Sequence, residues 1–234
     1  MGNLMTQTPA KPAVSKRKQQ ARRETRTLVI LGSVVLLIMA LAVILTRSQE
    51  QAGSPSVVQD TALLVRDDSI TLGPADAAVT LVEFLDFECE ACRAAHPTVK
   101  RILNEYDGRI RYVVRYFSNH NNSVLAVAAA EAAGEQGQYW EMVDLLFANQ
   151  PQWGESRVPQ TEAFIAYATE LGLNIDQFTA GLQNSAYADK AARDQQDTRT
   201  LGLRGTPTFF VNGQLVYGLD EPSLRRLIEA GLNG

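Results

Sequence analysis

Cys89 and Cys92 are the only cysteines in this chain of 234 residues, and two residues separate them. That spacing suits thiol–disulfide exchange. The first thiolate of such a pair forms or receives a mixed disulfide, and the second, about one helical turn on, resolves it. The pair follows a β-branched, apolar run from Val79 to Leu85 and opens a helical pattern from Cys92 to Tyr106. A helix N-terminus presents unpaired N–H groups and a positive dipole end, both of which stabilise a thiolate on Cys89.

Six further positions bear on that chemistry. Glu83 interrupts the apolar run six residues before Cys89. A carboxylate buried there without a partner costs several kcal/mol, so it is either functional or ion-paired at a sheet edge. Pro207, in Gly205-Thr206-Pro207, stands where strand character resumes, and by itself reads equally as a strand-start proline. His96 lies four residues after Cys92 on the same helix face, which leaves a zinc reading open. Cys89, Cys92 and His96 would then need a carboxylate or a second chain, since His120 is the only other histidine. Asp86, Glu88 and Glu90 surround the cysteines with negative charge or belong to a solvated loop.

The elements that must position these residues follow in order. Ile70-Thr71-Leu72 is a short edge strand, turned by Gly73-Pro74. The Val79–Leu85 run is a central strand buried on both faces. The cysteine helix stops at Asp107-Gly108, and Arg109 to Phe117 is a second strand, completing a βαβ unit. From 119 to about 201 the pattern is helical: an Ala-rich helix over Ser123 to Ala133, then apolar stripes at Tyr139, Val143, Leu146 and Phe147 and at Phe164, Ala168 and Leu171. Pro151 and Pro159 bound a loop holding Trp153, Asp176 is the expected N-cap of a helix through Leu182, and another helix runs from about Tyr187 to Leu201. Asn212-Gly213 between two apolar runs predicts a hairpin. A last helix opens at Pro222 and ends at Gly231.

The net charge of −4 is unevenly spread, with seven Lys or Arg against one Glu in residues 1–26. The acidic remainder gives no footing for nucleic acid. No charge falls between Arg26 and Arg47, and these twenty positions span the roughly 30 Å hydrocarbon core of a bilayer as a helix. The basic cluster before them (Lys16, Arg17, Lys18, Arg22, Arg23, Arg26) predicts a cytoplasmic N-terminus and an exported C-terminal bulk. The alternative is a cleaved signal peptide, but the apolar run is long for one and no small-residue cleavage site follows Leu45. The expected organisation is a basic cytoplasmic tail (1–26), a transmembrane anchor (27–46), a linker (47–68) and one α/β domain (69–234), facing a compartment where disulfides persist.

With these motifs in order, the chain resembles the thioredoxin superfamily, and its helical insertion makes it similar to the DsbA-like branch, especially membrane-tethered thiol:disulfide oxidoreductases of Gram-positive bacteria. The resemblance covers residues 69–234. It implies a thioredoxin-like α/β fold with a helical insertion at about 119–201. It also implies that Cys89 is the nucleophile, Cys92 the resolving cysteine and Pro207 a cis proline facing the disulfide. Thr206 would pair its backbone with a substrate peptide, with Glu90 and Ala91 between the cysteines completing the substrate-contacting set. Glu83 would sit beneath Cys92 with a raised pKa and shuttle its proton. No cofactor beyond the dithiol/disulfide is implied. The expected partners are exported proteins with cysteines and a quinone-linked membrane protein that reoxidises the dithiol. The family pattern has proline after the first cysteine and often histidine before the second, where this chain has Glu90 and Ala91. That departure implies a less stabilised thiolate and a less oxidising disulfide, so a reductase or isomerase remains an alternative to disulfide formation. An alternative of another class is a thioredoxin-like binding module with a structural disulfide.

Overall fold

The computed structural model describes Met39, Val57, Val58 and residues 60–234. The expected tail (1–26) and, apart from Met39, the expected anchor (27–46) lie outside the described residues. Among those described, no helix is long and apolar enough to cross a membrane.

Five strands form one sheet: β1 (Ile70–Leu72), β2 (Val79–Leu85), β3 (Ile110–Tyr116), β4 (Thr208–Val211) and β5 (Gln214–Tyr217), in the order β1-β3-β2-β4-β5. β2 lies at the centre, parallel to β3 and antiparallel to β4, with Glu83 opposite Val114 on one side and Phe209 on the other. The βαβ crossover is α1 (Glu90–Glu105). Between β3 and β4 the insertion contributes α2 (Ser123–Gly134), α3 (Tyr139–Ala148), a single turn at Gln150–Trp153, α4 (Thr161–Glu170), α5 (Ile175–Leu182) and α6 (Ser185–Thr200), and α7 (Glu221–Leu232) closes the chain.

The pleat of β2 divides the core. Leu81 and Leu85 join Tyr112, Val114 and Tyr116 of β3 under α1 and the insertion. Val82 and Phe84 join Val113 and Phe210 on the other face, under Leu64. Small residues let the insertion pack closely: a Cβ on Gly181 would stand 2.6 Å from the Ala132 Cβ. Asn212 (φ 46°) and Gly213 (φ 80°) both take the left-handed conformation that a two-residue hairpin requires.

Several boundaries differ from the sequence reading. Cys89 itself is the N-cap of α1, which starts at Glu90 rather than Cys92. The linker does not extend to residue 68. Val57 bridges to Gln214, Leu64 is 3% exposed, and Arg66 makes a bidentate pair with Asp197 on α6. Polar composition concealed this packing, because its anchors are single residues reaching across the chain. Trp153 is not in a loop but fully buried at the end of a helical turn, with its indole N–H donating to Leu146 O. Asn174, not Asp176, caps α5 by accepting from the Gln177 N–H at 3.0 Å. Gly231 lies inside α7, where a Cβ would meet Val79 Cγ2 at 2.7 Å; close approach, not termination, requires it.

Candidate active site

β2 delivers the chain to Asp86, and the turn that follows sets Cys89 at the tip of α1. Cys89 is half-buried and Cys92 is 1% exposed; both are free thiols. The turn is held from within by two buried carboxylates. Asp86 accepts from the Glu88 N–H (2.9 Å), the Ser123 hydroxyl (2.6 Å), the Asn119 N–H (2.9 Å) and His120 Nδ1 (2.7 Å). Glu88 accepts from the Asn122 N–H (2.6 Å) and the Glu155 N–H (2.9 Å). The solvated-loop reading of these two acids is therefore overturned: each is 2% exposed and ties the cysteine turn to the insertion. From the insertion, Gln150 Nε2 donates to the carbonyls of Phe87 (2.8 Å) and Cys89 (3.0 Å), and its Oε1 accepts from Arg93 Nε (3.0 Å). No sequence signal marks Gln150, whose partners lie about sixty residues away.

Thr206 and Pro207 come up opposite. Their peptide bond is cis, Pro207 is buried, and the Cys89 thiol donates to the Thr206 carbonyl at 3.6 Å. A thiolate cannot donate and is supported instead by donors. Cys89 is lowered from an ordinary 9.0 to about 5, chiefly because the Cys92 thiol donates to it. Burial opposes this, while the Thr206 hydroxyl and the amides of Cys92 and Ala91 assist. The expectation that Ala91 leaves the thiolate poorly supported thus meets a different source of support, since Ala91 contributes its amide. The side chains of Glu90 and Ala91 are exposed on the first turn of α1. Cys92 goes the other way. Burial pushes its thiol far up, with the bond to Cys89 and the charges of Glu83 and Cys89 adding to the effect. The Asp86 N–H, 3.5 Å from the Cys92 sulfur, opposes it weakly.

Glu83 is 3% exposed on the central strand, so the sheet-edge ion pair is excluded. Its partner is the Tyr112 hydroxyl, which donates to Oε2. Burial raises Glu83 from 4.5 to about 7, against the Tyr112 hydrogen bond, which lowers it. His96 is engaged by Asp144 Oδ1 at 2.7 Å and packs on Phe147, with burial lowering its pKa. Among the described residues no group of three or more His, Cys, Asp or Glu is arranged to hold a metal ion. The site thus brings together Cys89, Cys92, Thr206 and Pro207, with Glu83 near enough for its charge to act on Cys92. It pairs one thiol that ionises easily with one that does not, beside a carboxyl that titrates near neutrality.

Known proteins share this fold. The chain is 26% identical to a thioredoxin-like oxidoreductase from Silicibacter pomeroyi, with a TM-score of 0.64 over 76% of this chain and 99% of that one. It superposes on alpha-DsbA1 of Wolbachia pipientis with a TM-score of 0.68 over 75% of this chain and 96% of that one, a likeness of fold at 19% identity. In sequence it is 36% identical, over 69% of its own length and 25% of the relative's, to the Na(+)/H(+) antiporter NhaA of Herminiimonas arsenicoxydans. The chain spans about a quarter of the length of the curated relatives it matches. The thioredoxin family model matches residues 66–230, and with the fold of the DsbA-like thiol-disulfide oxidoreductases around its paired cysteines the chain belongs to the thioredoxin family.

Proposed function

We propose that this chain is a protein disulfide oxidoreductase that forms disulfides in exported proteins through Cys89 and Cys92. One observation carries the reading: the half-exposed thiol is pulled down to about 5 while its buried neighbour is pushed up, across from a cis proline. In the oxidised enzyme a substrate thiolate attacks the Cys89 sulfur, and the Cys89–Cys92 bond breaks. Cys92 leaves with the electron pair and takes a proton from Glu83 in its neutral form. A second substrate thiolate then attacks the substrate's own sulfur in the mixed disulfide. Cys89 leaves as a thiolate, which its low pKa favours. The substrate has lost two electrons and the enzyme dithiol has gained them. A quinone-linked membrane partner then takes them up, and no other cofactor is needed.

The anchor at 27–46, with the basic tail inside the cell, keeps the domain beside that partner and outside the cytoplasm. A match to part of longer chains named antiporters is in keeping with a module working at a membrane; their ion exchange is not assigned to this chain. The reductase direction remains the second reading, because Glu90 and Ala91 replace the family's proline and histidine. With Cys89 near 5, the expected reduction potential lies between the roughly −270 mV of thioredoxin and the roughly −120 mV of DsbA. The test of function is Cys92→Ala expressed in the cell. Mixed disulfides between Cys89 and exported proteins accumulate if the reading holds, and their absence rejects it.

A further inference from the structure

A buried carboxyl that accepts and returns a proton at each turnover needs a path to water. Glu83 lies on the central strand, and the groups around it are Tyr112 of β3, Cys92 of α1 and Tyr139 of α3. Among the described residues only Tyr112 is hydrogen-bonded to its carboxyl. The same tyrosine lines a groove between α1, α3 and the β1–β3 side of the sheet, with Leu85, Val99 and Val143 among its walls. The groove holds about 110 Å³, room for several waters at roughly 10–15 Å³ each. Besides Tyr112, its titratable lining is Tyr139, His96, Lys100 and Asp144; Tyr139 is bonded to the Tyr116 hydroxyl at 3.0 Å, and Asp144 holds His96 Nε2 on Oδ1 at 2.7 Å and Lys100 Nζ on Oδ2 at 2.5 Å. Neither Cys89, Thr206 nor Pro207 lines it.

Resting on the oxidoreductase reading, we propose that the Tyr112 hydroxyl passes the Glu83 proton to and from this groove, so that Cys92 exchanges protons with water away from the substrate surface. The balance is simple. When Cys92 attacks the Cys89 sulfur of a mixed disulfide, the Cys89–Cys92 bond forms, the bond from Cys89 to the other chain breaks and that chain's sulfur leaves as a thiolate with the electron pair; the Cys92 S–H proton goes to the Glu83 carboxylate. The neutral carboxyl gives a proton to the Tyr112 oxygen as Tyr112 releases its own to water in the groove. The groove water carries it to bulk solvent past His96, Asp144 and Lys100. The relay itself moves protons and no electrons, and the tyrosine ends as it began.

The test is a rapid pH jump from 5.5 to 8 on the full-length chain, followed by the infrared stretch of the neutral Glu83 carboxyl. Glu83→Gln identifies the band by removing it. Tyr112→Phe keeps the ring and removes the relay; the band's decay is expected to slow at least about tenfold. Decay within about twofold of the parent overturns the proposal, even if the midpoint of the titration has moved, since a shifted midpoint alone means that Tyr112 only tunes acidity. If Tyr112→Phe does not fold, Val143→Phe decides in its place. It fills the groove without touching the Tyr112–Glu83 bond, and unslowed decay in that variant overturns the relay. The parent chain is also treated with glutathione disulfide. If it passes through a Cys89 mixed disulfide to the internal disulfide, a failed jump experiment rejects the relay alone. If it does not, the oxidoreductase reading falls and the relay with it.

Discussion

Cys89 and Glu83 are displaced from their ordinary pKa values in opposite directions, and each displacement is measurable. Cys92 is the largest support of the Cys89 thiolate, so alkylation of Cys89 should titrate near 5 in the parent dithiol and at a clearly higher pH in Cys92→Ala. An unmoved midpoint would assign the support to the helix and its amides instead. For Glu83, the folded chain holds a proton between pH 4.5 and about 7 that the unfolded chain has released. Stability from this group is therefore complete below 4.5 and is lost as pH rises through 7. A displacement of this size corresponds to about 3 kcal/mol. Glu83→Gln, which still offers Tyr112 an acceptor, should be more stable than the parent by about 2–3 kcal/mol at pH 8 and equal to it near pH 4, in denaturant melts at both pH values. Equal stability at pH 8 would mean that Glu83 stays solvated or paired. The spacing of Cys89 and Cys92 was legible as chemistry by itself, whereas Glu83 and Pro207 gained their roles only through the family resemblance. Gln150 was not legible, since its two carbonyl bonds exist only once the insertion folds back over the cysteine turn.

At the scale of elements, strands were easier to read than ends. Apolar runs and Asn212-Gly213 located β2 to β5, whereas the cap of α5, the turn around Trp153 and the place of Gly231 depend on neighbours distant in sequence. The same holds for the segment before β1. Its composition reads as a tether, yet Leu64 fills the face of the sheet formed by Val82, Phe84 and Phe210, and Arg66 grips Asp197 beside the fully buried Arg115. Burial of one leucine is worth about 1.5–3 kcal/mol, and a hydrogen bond to a charged group about 1.5–3 kcal/mol. A soluble chain beginning at Ser69 should therefore be less stable than one beginning at Pro55 by about 3 kcal/mol or more. Chemical denaturation of the two reads this directly; equal midpoints would show that residues 55–68 add nothing to the fold. The reduction potential is best measured on the longer chain, because Asp194 and Asp197 of α6 also hold Arg115 and the Tyr116 N–H at the end of β3, just before the loop that reaches Asp86.

The whole molecule joins a basic, apolar N-terminal stretch to an acidic redox domain, and the direction of the chemistry depends on which side of a membrane that domain occupies. In the cytosol, thiols are kept reduced and a dithiol of this kind runs as a reductant; outside, it can be kept oxidised. The two cysteines make the question easy to ask. Cys92 is buried and its thiol is pushed far up, so a label on the folded chain reports Cys89 alone. With Cys89 ionising at about 5, a maleimide at pH 6 reacts with it while ordinary thiols, with pKa near about 8.5, remain protonated. Intact cells would be treated with a mild reductant and then with a membrane-impermeant maleimide at that pH. Labelling before lysis, lost when residues 27–46 are replaced by a polar sequence, is the outcome expected of an anchored exported domain. Labelling only after lysis would put the domain in the cytoplasm. The thioredoxin fold and the unequal thiols would stand, but disulfide formation in exported proteins would give way to the reductase reading.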